Sequence, residues 1–182
     1  MEPDKICTGN TEDEVWQQLA ADINADIWEY QALIKQGARE IKLDIDIDLG
    51  GGFEGGYATT CFSSPLTDPN FRFAAHEQDF IDEIGKFFGM QDVKIGFKQL
   101  DDRLIIKTND TDKVKALFAD PSVIEVFTVL TDFDFGIRLH NVEGSDQKQA
   151  FLELNIKDGI TDVEILRELY HAFCVVLDKL EQ

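Results

Sequence analysis

The chain reads as an α+β domain: a mainly antiparallel sheet of about six strands in hairpins, helices on one face, in the order α-ββ-α-ββ-α-ββ-α. Three observations lead there. Segments with apolar residues at helical spacing alternate with pairs of short segments whose apolar residues recur at every second position. Turn-forming residues, not long crossovers, separate the members of each pair, which predicts hairpins. The 182 residues, 43% hydrophobic, suffice for one core, and no stretch has the composition of a linker. A single domain over 1–182 is expected, with residues 1–10 flexible.

The first helix is expected from Thr11, where Thr11-Glu12-Asp13-Glu14 has the form of a capping box. Val15, Leu19, Ile23, Ile27 and Ile34 then recur near helical spacing, with Trp16 and Trp28 on the packing seam and Gly37 as the stop. The period changes to two at Ile41, Leu43, Ile45, Ile47 and Leu49, which alternate with Lys42, Asp44, Asp46 and Asp48. A glycine run over 50–56 ends that strand, and Tyr57 to Ser63 returns. Pro65 to Pro69 reads as loop, and Phe80, Ile81, Ile84, Phe87 and Phe88 mark a short helix from Asp79 to Phe88 closed by Gly89.

Val93, Ile95 and Phe97 alternate as a strand, Gln99 to Asp102 turns, and Leu104 to Lys107 returns. Asn109, Asp110 or Thr111 caps a helix with Val114, Leu117 and Phe118, and Pro121 separates it from a further helical stretch. Strands follow at Phe133 to His140 and Ala150 to Ile156, joined through Gly144-Ser145-Asp146. The last helix starts near Thr161 and carries Val163, Leu166, Tyr170, Phe173, Leu177 and Leu180 in a three-four rhythm.

Charge narrows the partners. With 17 Lys and Arg against 36 Asp and Glu, the formal charge is -19. Nucleic-acid affinity depends on cationic side chains displacing counterions from phosphates, and no basic cluster exists to do so. Anionic membrane surfaces are disfavoured for the same reason. Met1-Glu2-Pro3-Asp4-Lys5 is unlike a secretory signal, and the three cysteines, Cys7, Cys61 and Cys174, form no paired motif. A cytoplasmic protein is expected.

Several motifs resemble known chemical sites by letter. Gly50-x-Gly52-x-x-Gly55 matches a dinucleotide fingerprint by letter, but a β-forming segment follows where a helix N-terminus must receive the phosphates. Gly50, Gly52, Phe53 and Gly55 are kept as a hairpin or ligand-lid loop. Asp134-Phe135-Gly136 lacks every companion of the kinase magnesium motif. Asp44, Asp46 and Asp48 resemble the start of a calcium loop, yet Leu49 and Gly55 occupy the positions needing glycine and a bidentate acid. On a strand they stand about 6.5–7 Å apart, too far for neighbours to share a small ion directly. They remain the only metal candidates.

Asp132, Asp134, Arg138 and His140 share strand parity, so one face carries two acids, a base and an imidazole. An Asp–His pair there could act as a general base; a surface ion-pair ladder is the plainer reading. Cys61 lacks an electropositive helix terminus that would activate it. Fourteen phenylalanines suggest a phenylalanine-built core, or a surplus lining a pocket.

The stretch Leu104-Ile105-Ile106-Lys107-Thr108-Asn109-Asp110, then Val114-x-Ala116-Leu117-Phe118 and Phe133 to Leu139, resembles the strand–helix–strand core of uncharacterised bacterial α+β domains over residues 93–140. That resemblance implies a fold type and no activity. The functional expectation is therefore a non-enzymatic adaptor or chaperone-like protein that meets a basic protein partner, without cofactor, and able to form a homodimer through its first or last helix. The alternative is a small-molecule-binding domain or minor enzyme with a Phe-rich pocket under the Gly50–Gly56 loop.

Overall fold

The computed structural model describes residues 5–23, 27–51, 55–77, 90–142, 144 and 147–182. Nine strands form one mixed sheet: β1 Lys5–Gly9, β2 Glu29–Gln36, β3 Arg39–Asp48, β4 Tyr57–Leu66, β5 Phe73–Glu77, β6 Gln91–Val93, β7 Leu104–Thr108, β8 Phe133–Asn141 and β9 Lys148–Ile156. Their order across the sheet is β1-β2-β3-β4-β9-β8-β5-β7-β6. Every pairing is antiparallel except β1 with β2, which is parallel. The helices are α1 Glu12–Ala20, α2 Lys98–Asp101, α3 Thr111–Leu117, α4 Pro121–Val129 and α5 Val163–Leu180. Among the described residues, no helix is long and apolar enough to cross a membrane.

The α+β class holds, while the count of about six strands and the α-ββ repeat do not. Thr11 does cap α1 with a full capping box, but the helix ends at Ala20 and not near Gly37. Tyr30, Ala32 and Ile34 are buried at alternating positions of β2, a period the helical spacing from Val15 onward had masked. Gly37, with φ 59°, occupies the first central position of the two-residue turn between Gln36 and Arg39. A helix stop and a tight hairpin both ask for a positive φ there, so glycine alone does not separate them. Trp16 is buried against Tyr170, ring centroids 5.4 Å apart, whereas Trp28 is exposed ahead of β2.

Two further strands escaped notice for different reasons. Lys5–Gly9, inside the stretch expected to be flexible, pairs along β2. Strand β5 lies between β8 and β7 with Phe73, Ala74, Ala75 and His76 all buried, so it shows no alternation. The strand expected over Val93 to Phe97 stops at Val93: Gly96 turns at φ 95°, and the Asp101 carboxylate accepts from the amides of Ile95 and Gly96 at 2.9 Å each. The helix expected from Asp79 to Phe88 lies outside the described residues.

The core sits between one face of the sheet and the helices. Phe62 of β4 and Phe135 of β8 both meet Phe173 of α5, at 6.0 and 6.2 Å between centroids. Phe127 of α4 stacks on Phe135 at 4.8 Å, and Phe118, just after α3, meets Phe73 edge-on at 6.2 Å. Phe62, Phe73, Phe118, Phe127, Phe133, Phe135 and Phe173 are fully or almost fully buried, so these phenylalanines build the core. The opposite face of β3, β4, β9 and β8 stays partly open and polar.

Candidate functional site

The open sheet face gathers one row of polar residues by register. Asp44 pairs across to Cys61, Cys61 to Asn155, Asn155 to Asp134, and Asp134 to His76. Arg138 and Asp134, 17% and 15% exposed, form an ion pair along β8. His140 Nε2 and Glu153 Oε1 stand 2.6 Å apart, with the imidazole edge-on to Phe151 at 5.3 Å. Burial, reinforced by the Glu153 and Asp44 carboxylates, pushes the Cys61 thiol up to about 12. At neutral pH it is therefore protonated and a poor nucleophile.

Of the residues singled out by strand parity, the structure keeps three on this face. Asp134 is engaged by Arg138, and His140 takes Glu153 of β9 as its carboxylate in place of Asp134. Asp132 leaves the row. Its φ of 51° turns the chain into β8, a conformation that aspartate tolerates better than most residues. Its amide donates to Glu77 Oε2 at 2.8 Å, and its carbonyl accepts from the Lys157 amide at 2.8 Å.

The three aspartates of β3 each have a local partner. Asp44 pairs with Lys42 at 3.0 Å, Asp46 accepts from the Tyr57 hydroxyl at 2.8 Å, and Asp48 accepts from the Gly50 amide at 2.8 Å. Among the described residues, no group of three or more His, Cys, Asp or Glu side chains is placed to hold a metal ion. Gly50 and Gly55 are exposed, and Gly52 and Phe53 lie outside the described residues.

A different arrangement stands on the helix side. Helix α4 begins at Pro121 with Asp120 as N-cap, its carboxylate accepting from the Ser122 amide at 3.1 Å. Helix α5 begins under Asp162, whose carboxylate accepts from Glu164 and Ile165 amides. The segment before it is tied down: Thr60 Oγ1 donates to Asp158 O at 2.7 Å and accepts from the Ile160 amide at 2.9 Å. Gly159 lies so close over β3 and β4 that a Cβ there would come within 2.3 Å of Ile47.

Between this segment, α4 and α5 opens a cleft of about 580 Å³. Val126, Val129, Leu130, Ile160, Ile165 and Leu169 supply its apolar lining, and Asp132, Asp158, Asp162 and Glu168 its acids. Val129 is 75% exposed and Ile165 47% exposed, so the two together leave aliphatic surface in water within one cleft. A second cleft of about 300 Å³ continues along α5 and adds Glu12, Glu125 and Glu164. Among the described residues the two clefts thus hold seven carboxylates against the cations Lys157 and Arg167. Arg167 is already taken, its Nε donating to Glu12 at 3.0 Å and its Nη2 to Asp13, and His171 stands 2.8 Å from Glu12.

Among the described residues, the linings of the two clefts offer apolar contact framed by negative charge. Sequence reasoning missed it because the carboxylates come from positions 12, 125, 132, 158, 162, 164 and 168, with no local motif. The one signal was Ile165, a large apolar residue outside the inward rhythm of the last helix. Comparison of the chain with protein-family models, with characterised proteins and with solved structures finds no match.

Proposed function

We propose that this protein is a non-enzymatic binding protein, an adaptor or chaperone-like module, that receives a basic protein partner at the clefts between α4 and α5. The observation that carries this reading is the pairing of exposed Val129 and Ile165 with a rim of seven carboxylates. Apolar area left in water is costly, and a partner that covers it recovers about 25 cal/mol for each Å² removed from solvent. The rim then selects cationic partners and speeds their encounter, while like charges are turned away. On the sheet face, Asp44 is paired with Lys42, Asp134 with Arg138 and His140 with Glu153, and burial holds the Cys61 thiol protonated.

The test is direct titration. A labelled lysine- and leucine-bearing peptide is expected to bind in low salt and to lose affinity steeply as ionic strength approaches physiological values, since screening shortens the reach of exposed charges. A peptide with glutamate in place of lysine is expected not to bind. Equal affinity for both peptides, or an affinity indifferent to salt, contradicts the reading.

A further inference from the structure

We infer that the two clefts beside α5 are one polarised groove, and that its occupant is an amphipathic basic helix of the partner. The apolar end of that helix seats against Val129 and Ile165, and its lysine- or arginine-bearing end runs along Glu168, Glu164 and Glu125. This rests on the reading of the protein as a receptor for a basic partner, and adds which chemistry enters where.

Continuity comes from shared walls, because Val126 and Glu168 line both clefts. Polarity comes from the difference between them. Each cleft is lined by four carboxylates, but the larger also holds the exposed aliphatic side chains, whereas Val126 is the one apolar residue among those described around the smaller. Charge there is unspent: among the described residues Glu125, Glu164 and Glu168 make no ion pair, unlike Asp134, Asp44 or Glu12. A partner's cations therefore need not displace existing ones from these three.

The shape favours a helix. The groove follows the exposed side of α5 beside α4, and parallel rows of side chains on two packed helices accept a third element of the same kind. Along α4 the lining passes from Leu130 and Val129 in the larger cleft back to Glu125 and Ser122 in the smaller, a path of about 12 Å, so roughly two turns of a partner helix span both. Anchors at helical spacing on one end and cations on the next turn match both halves at once.

Two labelled helical peptides of about 14 residues and identical composition test this, one with leucines gathered in its first half and lysines in its second, the other scrambled. The polarised peptide is expected to bind about tenfold tighter than the scrambled one. Val129→Asp is expected to weaken the polarised peptide by about tenfold at both low and moderate salt. The pair Glu125→Gln and Glu168→Gln is expected to weaken it chiefly at low salt and to flatten its salt dependence. All three side chains are exposed, so unchanged thermal melting separates these effects from misfolding. Equal affinity of the two peptides, or indifference to Val129→Asp, overturns the groove while leaving a basic partner in place. Failure of every lysine-bearing peptide to bind at low salt overturns the basic-partner reading itself.

Discussion

Arg138 and Asp134 stand mostly covered on the sheet face, so neither charge is well hydrated and each leans on the other. Replacing Arg138 with Met leaves a carboxylate short of its cation, which is expected to cost about 1–3 kcal/mol in thermal or denaturant unfolding. Adding Asp134→Asn should recover part of that loss, and full additivity would show the pair to be energetically idle. Cys61 makes a pH prediction of definite sign. Its folded thiol keeps the proton up to about 12, against an ordinary value of 9.0. Between those two values the unfolded chain has released a proton the folded chain retains, so stability is whole below 9.0 and falls as pH climbs. Melting temperature followed over that window is expected to fall less steeply in Cys61→Ala; identical slopes contradict it. At this scale strand parity correctly set Asp134, Arg138 and His140 on one face. It could not supply Glu153, because a partner on a neighbouring strand depends on pairing that spacing within β8 does not encode.

Among the elements, β1 shows how an exposed edge is closed. Gln18 of α1 accepts from the Thr8 amide at 3.2 Å and donates to the Thr8 carbonyl at 2.8 Å, so a side-chain amide stands where another strand would pair. Gln18→Ala is expected to uncover that edge and give concentration-dependent self-association in light scattering once salt screens the net charge. A monomer at all concentrations contradicts the edge-closing role. In the core, Phe135 touches Phe73, Phe118, Phe127 and Phe173. Phe135→Ala is expected to cost about 3–5 kcal/mol, as for other large aromatic truncations. The elements most legible in sequence were those with one wet face: β3 alternates cleanly, and α5 keeps its inward rhythm from Leu166 to Leu180. Buried on both faces, β5 carries no period, and β2 was hidden because Ile27 and Ile34 also fit a helix begun at Thr11.

At the level of the whole molecule, the net charge of -19 sets what approaches and the folded surface sets where it settles. A basic peptide could collect against any carboxylate-rich part of such a protein. The open face of β3 and the α4–α5 groove differ in one respect that decides between them: Asp44, Asp46 and Asp48 have local partners, whereas Glu125, Glu164 and Glu168 make no ion pair among the described residues, and Glu168 lines the same cleft as the exposed Val129 and Ile165. Composition makes the sign of the surface charge legible, while the groove needs three separated chain segments brought together. The most direct measurement is amide hydrogen exchange with and without the polarised peptide. Added protection in α4, the 157–162 segment and the first half of α5, with β3 and β4 unchanged, is the result expected. Protection centred on Asp44 to Asp48, or spread evenly over the acidic surface, would contradict the account.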